Sequence, residues 1–195
     1  MADNTATTGA PIDDKNVSVF NQVTDGGIVY IAPKGTAVPQ AFTKPSALDP
    51  AFKSLGDIGE DGFTESTDSD SDDYKNINGN TVLSVSKGKT RKFEFHFIEA
   101  ERVELMKFVY GNATTGTDGK LSKVDLQNAE NPECVMVIYE MLSSGTLRMT
   151  VLDRAKPTDF GDLVHSKGKV MDYDVTVTAL DNGGKSGTMY YGTAA

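Results

Sequence analysis

Between Asp57 and Asp73 the chain carries eight acidic residues and no basic one: Asp57, Glu60, Asp61, Glu65, Asp68, Asp70, Asp72 and Asp73. Like charges at that density repel one another, and neither a packed core nor a compact helix accommodates them. The segment 57–78 is therefore expected as a long acidic surface loop or an exposed strand pair. The whole chain has 195 residues and a net charge of −9, so this one run accounts for nearly all of the imbalance. What remains is an almost neutral polypeptide of single-domain length. Its nine Phe and seven Tyr can furnish a core, so the chain is not a disordered polyanion.

The charge balance and the rare residues exclude several function classes. A net acidic chain lacks the basic surface that grips nucleic-acid phosphate. The single cysteine, Cys134, cannot form an internal disulfide. With only His96 and His165 beside it, no Cys₄ or Cys₂His₂ zinc site can be completed. The apolar run Cys134–Tyr139 is far too short to span a membrane. The first residues have neither the basic start nor the apolar stretch of a secretory signal. The expectation is a soluble protein made in the cytoplasm, with no membrane partner and no cofactor.

Hydrophobic patterning gives a mainly β domain. Residues 1–26 read as a polar N-terminal arm and lead-in, and 27–195 as one domain. Gly27–Pro33 is a short β-branched and aromatic strand, and 34–56 a Pro- and Ala-rich connection with turn chemistry at Asp49-Pro50. Thr81–Ser86 and Lys89–Glu99 are strands. In the second, Phe93, Phe95 and Phe97 share one face, while Lys92, Glu94 and His96 share the other. The period then changes: Val103, Met106 and Tyr110, joined by Leu105 and Val109, predict one amphipathic helix over 100–110, ended by Gly111. Asn112–Lys120 reads as a loop. Cys134–Leu142, apolar almost throughout, predicts a strand covered on both faces. Ser143-Ser144-Gly145 turns it into Thr146–Asp153. Gly168–Leu180 alternates strictly, with Asp172, Asp174, Thr176 and Thr178 on the polar side. A last short strand surrounds Met189–Tyr191. The sum is a β-sandwich or partial barrel with one flanking α-helix.

Tests for chemistry return little. Ala179–Ser186 fits a relaxed phosphate-loop pattern, but the residues after it read as β, and no helix follows to hold a phosphate. It reads as a hairpin turn. Asp68, Asp70 and Asp72 resemble the start of a calcium loop, yet Asp73 and Gly79 stand where glycine and a bidentate glutamate are needed. Cys134 reads as a buried, inert thiol. Two unconnected histidines define no nucleophile–base set. The expectation is a non-enzyme. Basic residues gather once, at Lys87, Lys89, Arg91 and Lys92. Lys87, Lys89 and Arg91 share one parity, a row of cations complementary to the acidic run.

Three segments carry a resemblance: GIVYIAPKGTAVP at 27–39, ALDPAFKSLGDIGEDGFTESTDSDSDDYK at 47–75 and KFEFHFIEAERVELMKFVYG at 92–111. In order and spacing they resemble the major tail tube proteins of long-tailed (siphovirus-type) bacteriophages. The resemblance implies a structural subunit, hexameric rings stacked into a DNA ejection conduit, and a β-sandwich with a flanking helix. It implies no catalytic residues. Its partners would be further copies of itself and the tape measure, tail terminator and distal tail proteins, with DNA only a transient passenger. Its location would be the virion tail, assembled in the host cytoplasm. On this reading the acids from Asp57 to Asp73 and the cations Lys87, Lys89 and Arg91 are candidate inter-subunit contacts. Asp172 and Asp174 are candidate lumen-facing residues, since carboxylates repel passing phosphate. Alternatives are a related ring protein (a tail terminator, tube initiator or secretion-tube subunit) or a small β-sandwich binding module.

Overall fold

The computed structural model describes residues 18–21, 27–128 and 130–193. Expectations for 1–17 and 22–26, most of the N-terminal arm, lie outside the described residues. In chain order the elements are β1 (Phe20–Asn21), β2 (Val29–Pro33), β3 (Lys53–Ser54), β4 (Ile58–Lys75), β5 (Thr81–Phe97), α1 (Val103–Tyr110), β6 (Gly111–Thr115), β7 (Leu121–Leu126), β8 (Cys134–Leu142), β9 (Thr146–Phe160), β10 (Tyr173–Ala179) and β11 (Thr188–Thr193). The protein is mainly β, with a single α-helix among the described residues.

The main sheet runs β3-β2-β8-β9-β10-β5-β4, and its two ends do not meet, so it is not a closed barrel. All its described pairings are antiparallel. The long β9 joins the two halves of the fold. Val151 pairs with Val137 on one side and Thr188 on the other, while Ala155 pairs with Cys134 and Ala179. Thus β11 and β10 occupy successive stretches of the same edge of β9.

Alternation along β8 explains why an unbroken apolar run can be a strand. Met136 and Ile138 join one core cluster with Phe93, Phe95, Phe97, Val175 and Val177, under the helix residues Leu105, Met106 and Phe108. Val135, Val137 and Tyr139 join a second, with Leu147, Met149 and Val151. That second face is covered by the 34–56 connection, through Val38, Phe42, Leu48 and Phe52. The buried Tyr139 hydroxyl donates to the Thr43 carbonyl at 2.7 Å, so burying its polar tip leaves no unpaired group.

Several boundaries differ from the sequence expectation. The helix begins at Val103 because Arg102 is extended, and it ends at Gly111, whose φ of 90° suits glycine. The expected loop after it is a hairpin, β6 paired to β7, closed by Gly116 and Gly119. The alternating Gly168–Leu180 segment is a strand only from Tyr173. The 179–186 segment forms a turn with positive φ at Gly183 and Gly184. It is not a hairpin, since β10 and β11 both pair with β9 and not with each other. Of the two expectations for the acidic segment, the exposed strand pair is the one found and the loop is not: Ile58–Lys75 is strand, paired with β5 at Ile58 and again from Phe63 onward.

Candidate assembly surface

The paired strands β4 and β5 leave the domain together. Their inner ends belong to the core, where Phe63 packs against Phe95 with ring centroids 5.2 Å apart. Beyond them, Thr64–Lys75 and Thr81–Arg91 are exposed at every position. At about 3.3 Å per residue this makes an arm some 35 Å long. The turn is built by Asn76, whose side-chain oxygen accepts from the backbone N–H groups of Asn78 and Asn80 at 3.0 Å.

Why a strand forms from Asp and Ser is answered by its partner. Each acidic residue faces a strand whose register is fixed in the core, and the cations reach the acids diagonally, Arg91 standing across from Thr67 and Lys92 across from Ser66. Arg91 donates to Glu65 at 2.8 Å. The Lys92 amino group lies 2.8 Å from Asp68. Lys87 lies 2.7 Å from Asp72 and 4.0 Å from Asp70. The Asp68 carboxylate raises the Lys92 pKa, first through its hydrogen bond and then through its charge. These pairs are exposed, so each contributes little stability and serves mainly to cancel repulsion.

The expected single row of cations is broken. The register shifts between Asp70 and Ser71, and the extra residue on β5 is Lys87. Gly88 beside it has φ 115°, a conformation that a side chain resists. Arg91 therefore pairs on the Glu65 side of the arm, whereas Lys87 reaches Asp70 and Asp72 on the other. Lys89 and Asp73 form no ion pair among the described residues. The distal arm also carries apolar groups that the acid count concealed. Tyr74 lies opposite Leu83, and Asp72 opposite Val85. Alternation puts Tyr74, Leu83 and Val85 on one face, 55, 55 and 45% exposed, and Ile77 at the turn is fully exposed.

The remaining predicted residues lie elsewhere. Asp57 sits at the root of β4. Its N–H donates to Glu99 at 2.8 Å, its carbonyl accepts from Ile98 at 3.2 Å, and Arg102 holds the Glu99 carboxyl below its ordinary range. Glu60 and Asp61 occupy the irregular stretch between the pairs Ile58–Phe97 and Phe63–Phe95. The first acids of the run thus belong to the body and only Glu65, Asp68, Asp70, Asp72 and Asp73 to the arm. Asp174 lies on the sheet face opposite the phenylalanines, directly across from His96, with Asp172 just before the strand.

The ion pairs not foreseen from the sequence include the following groups in the body. Arg148 grips Glu140 through two hydrogen bonds of 2.6 Å across β8 and β9. Glu133 is held by Arg154 and Lys34, which bring its carboxyl down to about 2. His96 contacts both Asp172 and Asp174. Cys134, as expected, is buried, and burial pushes its thiol up to about 12, leaving it protonated and inert. Among the described residues no helix is long and apolar enough to cross a membrane.

A family model described as phage tail tube protein matches residues 19–192 of the chain. No curated protein gives a significant match.

Proposed function

The chain belongs to the phage tail tube protein family, and from that premise we propose that its copies form hexameric rings stacked into the DNA ejection conduit of a long-tailed phage. It is a structural subunit in this reading and performs no catalysis. It works in the virion tail, after assembly in the host cytoplasm, beside the tape measure, tail terminator and distal tail proteins.

The observation that carries the proposal is the arm. A two-stranded ribbon standing clear of its domain is marginally stable alone, and this one exposes Tyr74, Leu83 and Val85 together. Such a surface fits burial against another copy of the chain. A contact between unlike surfaces of like subunits repeats indefinitely and generates tubes. The carboxylates of Asp70, Asp72 and Asp73 around the apolar groups make an isolated subunit soluble and set the register of docking. Asp57, Glu60 and Asp61, at the root, have a supporting place in this scheme. Lys89, free of ion pairs among the described residues, is the cation best placed to meet an acid of a neighbour. Asp172 and Asp174 lie on a polar sheet face that suits a conduit wall.

Electron microscopy of the concentrated full chain tests the reading. Long tubes are expected; single rings would point to a terminator or initiator, and dispersed subunits would overturn the proposal. Reversing Asp70, Asp72 and Asp73 to Lys is expected to abolish tubes while leaving thermal unfolding within a few degrees of the parent. Normal tubes from that variant at physiological salt would contradict the arm's role.

A further inference from the structure

His96, Asp172 and Asp174 are set apart from the exposed ion pairs of the arm by chemistry and by placement. His96 and Asp174 face each other in the antiparallel register of β5 and β10. The His96 Nδ1 lies 2.5 Å from Asp174 Oδ1 and 3.8 Å from Asp172 Oδ2. One donor atom from each of the three residues lies within 4.8 Å of both others. Ligands bound to a first-row divalent cation at about 2.0–2.2 Å stand about 3–3.5 Å from one another. Small side-chain rotations would bring the three donors to that spacing.

Two further observations bear on the cluster. First, its charge is not balanced. Two carboxylate groups converge on one imidazole, and a dication placed between them offsets their mutual repulsion. Second, Gly161 has no positive φ that would call for glycine. A Cβ there would stand 2.6 Å from the Asp174 Cβ and 3.0 Å from its Oδ2. The Gly161 N–H donates to the Asp174 carbonyl at 2.9 Å. Glycine at 161 thus clears the space that the Asp174 carboxylate occupies and fixes the backbone behind it.

We propose that His96, Asp172 and Asp174 bind one first-row divalent cation, with Zn²⁺ the best fit to one imidazole nitrogen and two carboxylate oxygens. Water completes the coordination, and the cation takes the place of the direct His96–Asp174 hydrogen bond. A nitrogen donor disfavours Ca²⁺ and Mg²⁺, which take oxygen sets. Asp172 ends the exposed connection between β9 and β10, whereas His96 and Asp174 are in the sheet, so the cation pins that connection to the body. The site involves no residue of the arm; it shares Asp172 and Asp174 with the proposed conduit wall, but metal binding by the dispersed subunit is measured without reference to tube formation.

The test uses the full chain, stripped with a chelator and titrated with Zn²⁺ by calorimetry, and with Co²⁺ by visible absorbance. One equivalent is expected to bind. Asp172→Asn and His96→Gln should each weaken binding at least tenfold, while His165→Gln leaves it unchanged. Metal-free circular dichroism of Asp172→Asn, a substitution at an exposed position, verifies that loss of binding is not loss of fold. Ca²⁺ should bind at least tenfold more weakly than Zn²⁺. The proposal fails if no stoichiometric binding occurs at about 100 µM Zn²⁺. It fails equally if His96→Gln and Asp172→Asn bind as tightly as the parent, or if Ca²⁺ matches Zn²⁺.

Discussion

Two antiparallel strand pairs in this molecule use the same backbone and opposite side-chain strategies. In the β8–β9 pair every residue from Cys134 to Glu140 is buried, and cross-strand partners feed two separate cores. In the outer β4–β5 pair every residue from Thr81 to Arg91 is exposed. The first pair is held by apolar burial, at about 25 cal/mol per Å². The second has hydrogen bonds and exposed ion pairs alone, and its register is inherited from Phe63, Phe93 and Phe95 at the root. The difference teaches that a β-ribbon can be specified by a core it does not share. The inner pair makes the domain, and the outer one is free to make contacts.

The comparison is sharpest where one substitution type is placed in both regions. Phe95→Ala removes a fully buried ring from the phenylalanine stack and should cost about 3–5 kcal/mol in denaturant unfolding. Leu83→Ala on the arm should cost less than about 0.5 kcal/mol in the isolated subunit and show its effect in assembly. Equal costs would break the distinction.

Ion pairs offer a second contrast. Arg148→Ala strands Glu140, which is 5% exposed, and should destabilise by about 2 kcal/mol. Arg91→Ala leaves Glu65 in solvent and should cost less than about 1 kcal/mol. A smaller effect is expected at Glu133. Its carboxyl falls from an ordinary 4.5 to about 2 in the fold, through Arg154 first and Lys34 second. The stability this supplies is complete above pH 4.5 and is lost as pH falls toward 2. Glu133→Gln should flatten that part of the acid-unfolding curve, and an unchanged curve would assign the acid sensitivity elsewhere.

Much of the body was legible because its signals are local. The alternation of Phe93, Phe95 and Phe97 placed β5, and Gly111 marked the end of the helix. The doubly apolar Cys134–Tyr139 run announced a central strand. The arm was half legible. Its charge predicted exposure, but Asp and Ser have low strand propensity, and the pairing with β5 depends on a register set many residues away. The bulge at Lys87 was hidden, because period-two parity assumes an unbroken ladder. The β6–β7 hairpin was missed since its contribution to the first core cluster is only Ala113, with Leu121 and Val124 packed against it. The meeting of His96 with Asp174 joins strands 78 residues apart in sequence, and each strand alone shows only a polar face.

The most direct measurement of the central claim is oxidative footprinting of Tyr74 in dispersed subunits and in assembled tubes. Tyr74 is 55% exposed and Tyr139 is buried. The arm as a docking element predicts that Tyr74 labels readily in the subunit and is protected several-fold in the tube, with Tyr139 unlabelled in both. Equal labelling of Tyr74 in the two states would contradict it.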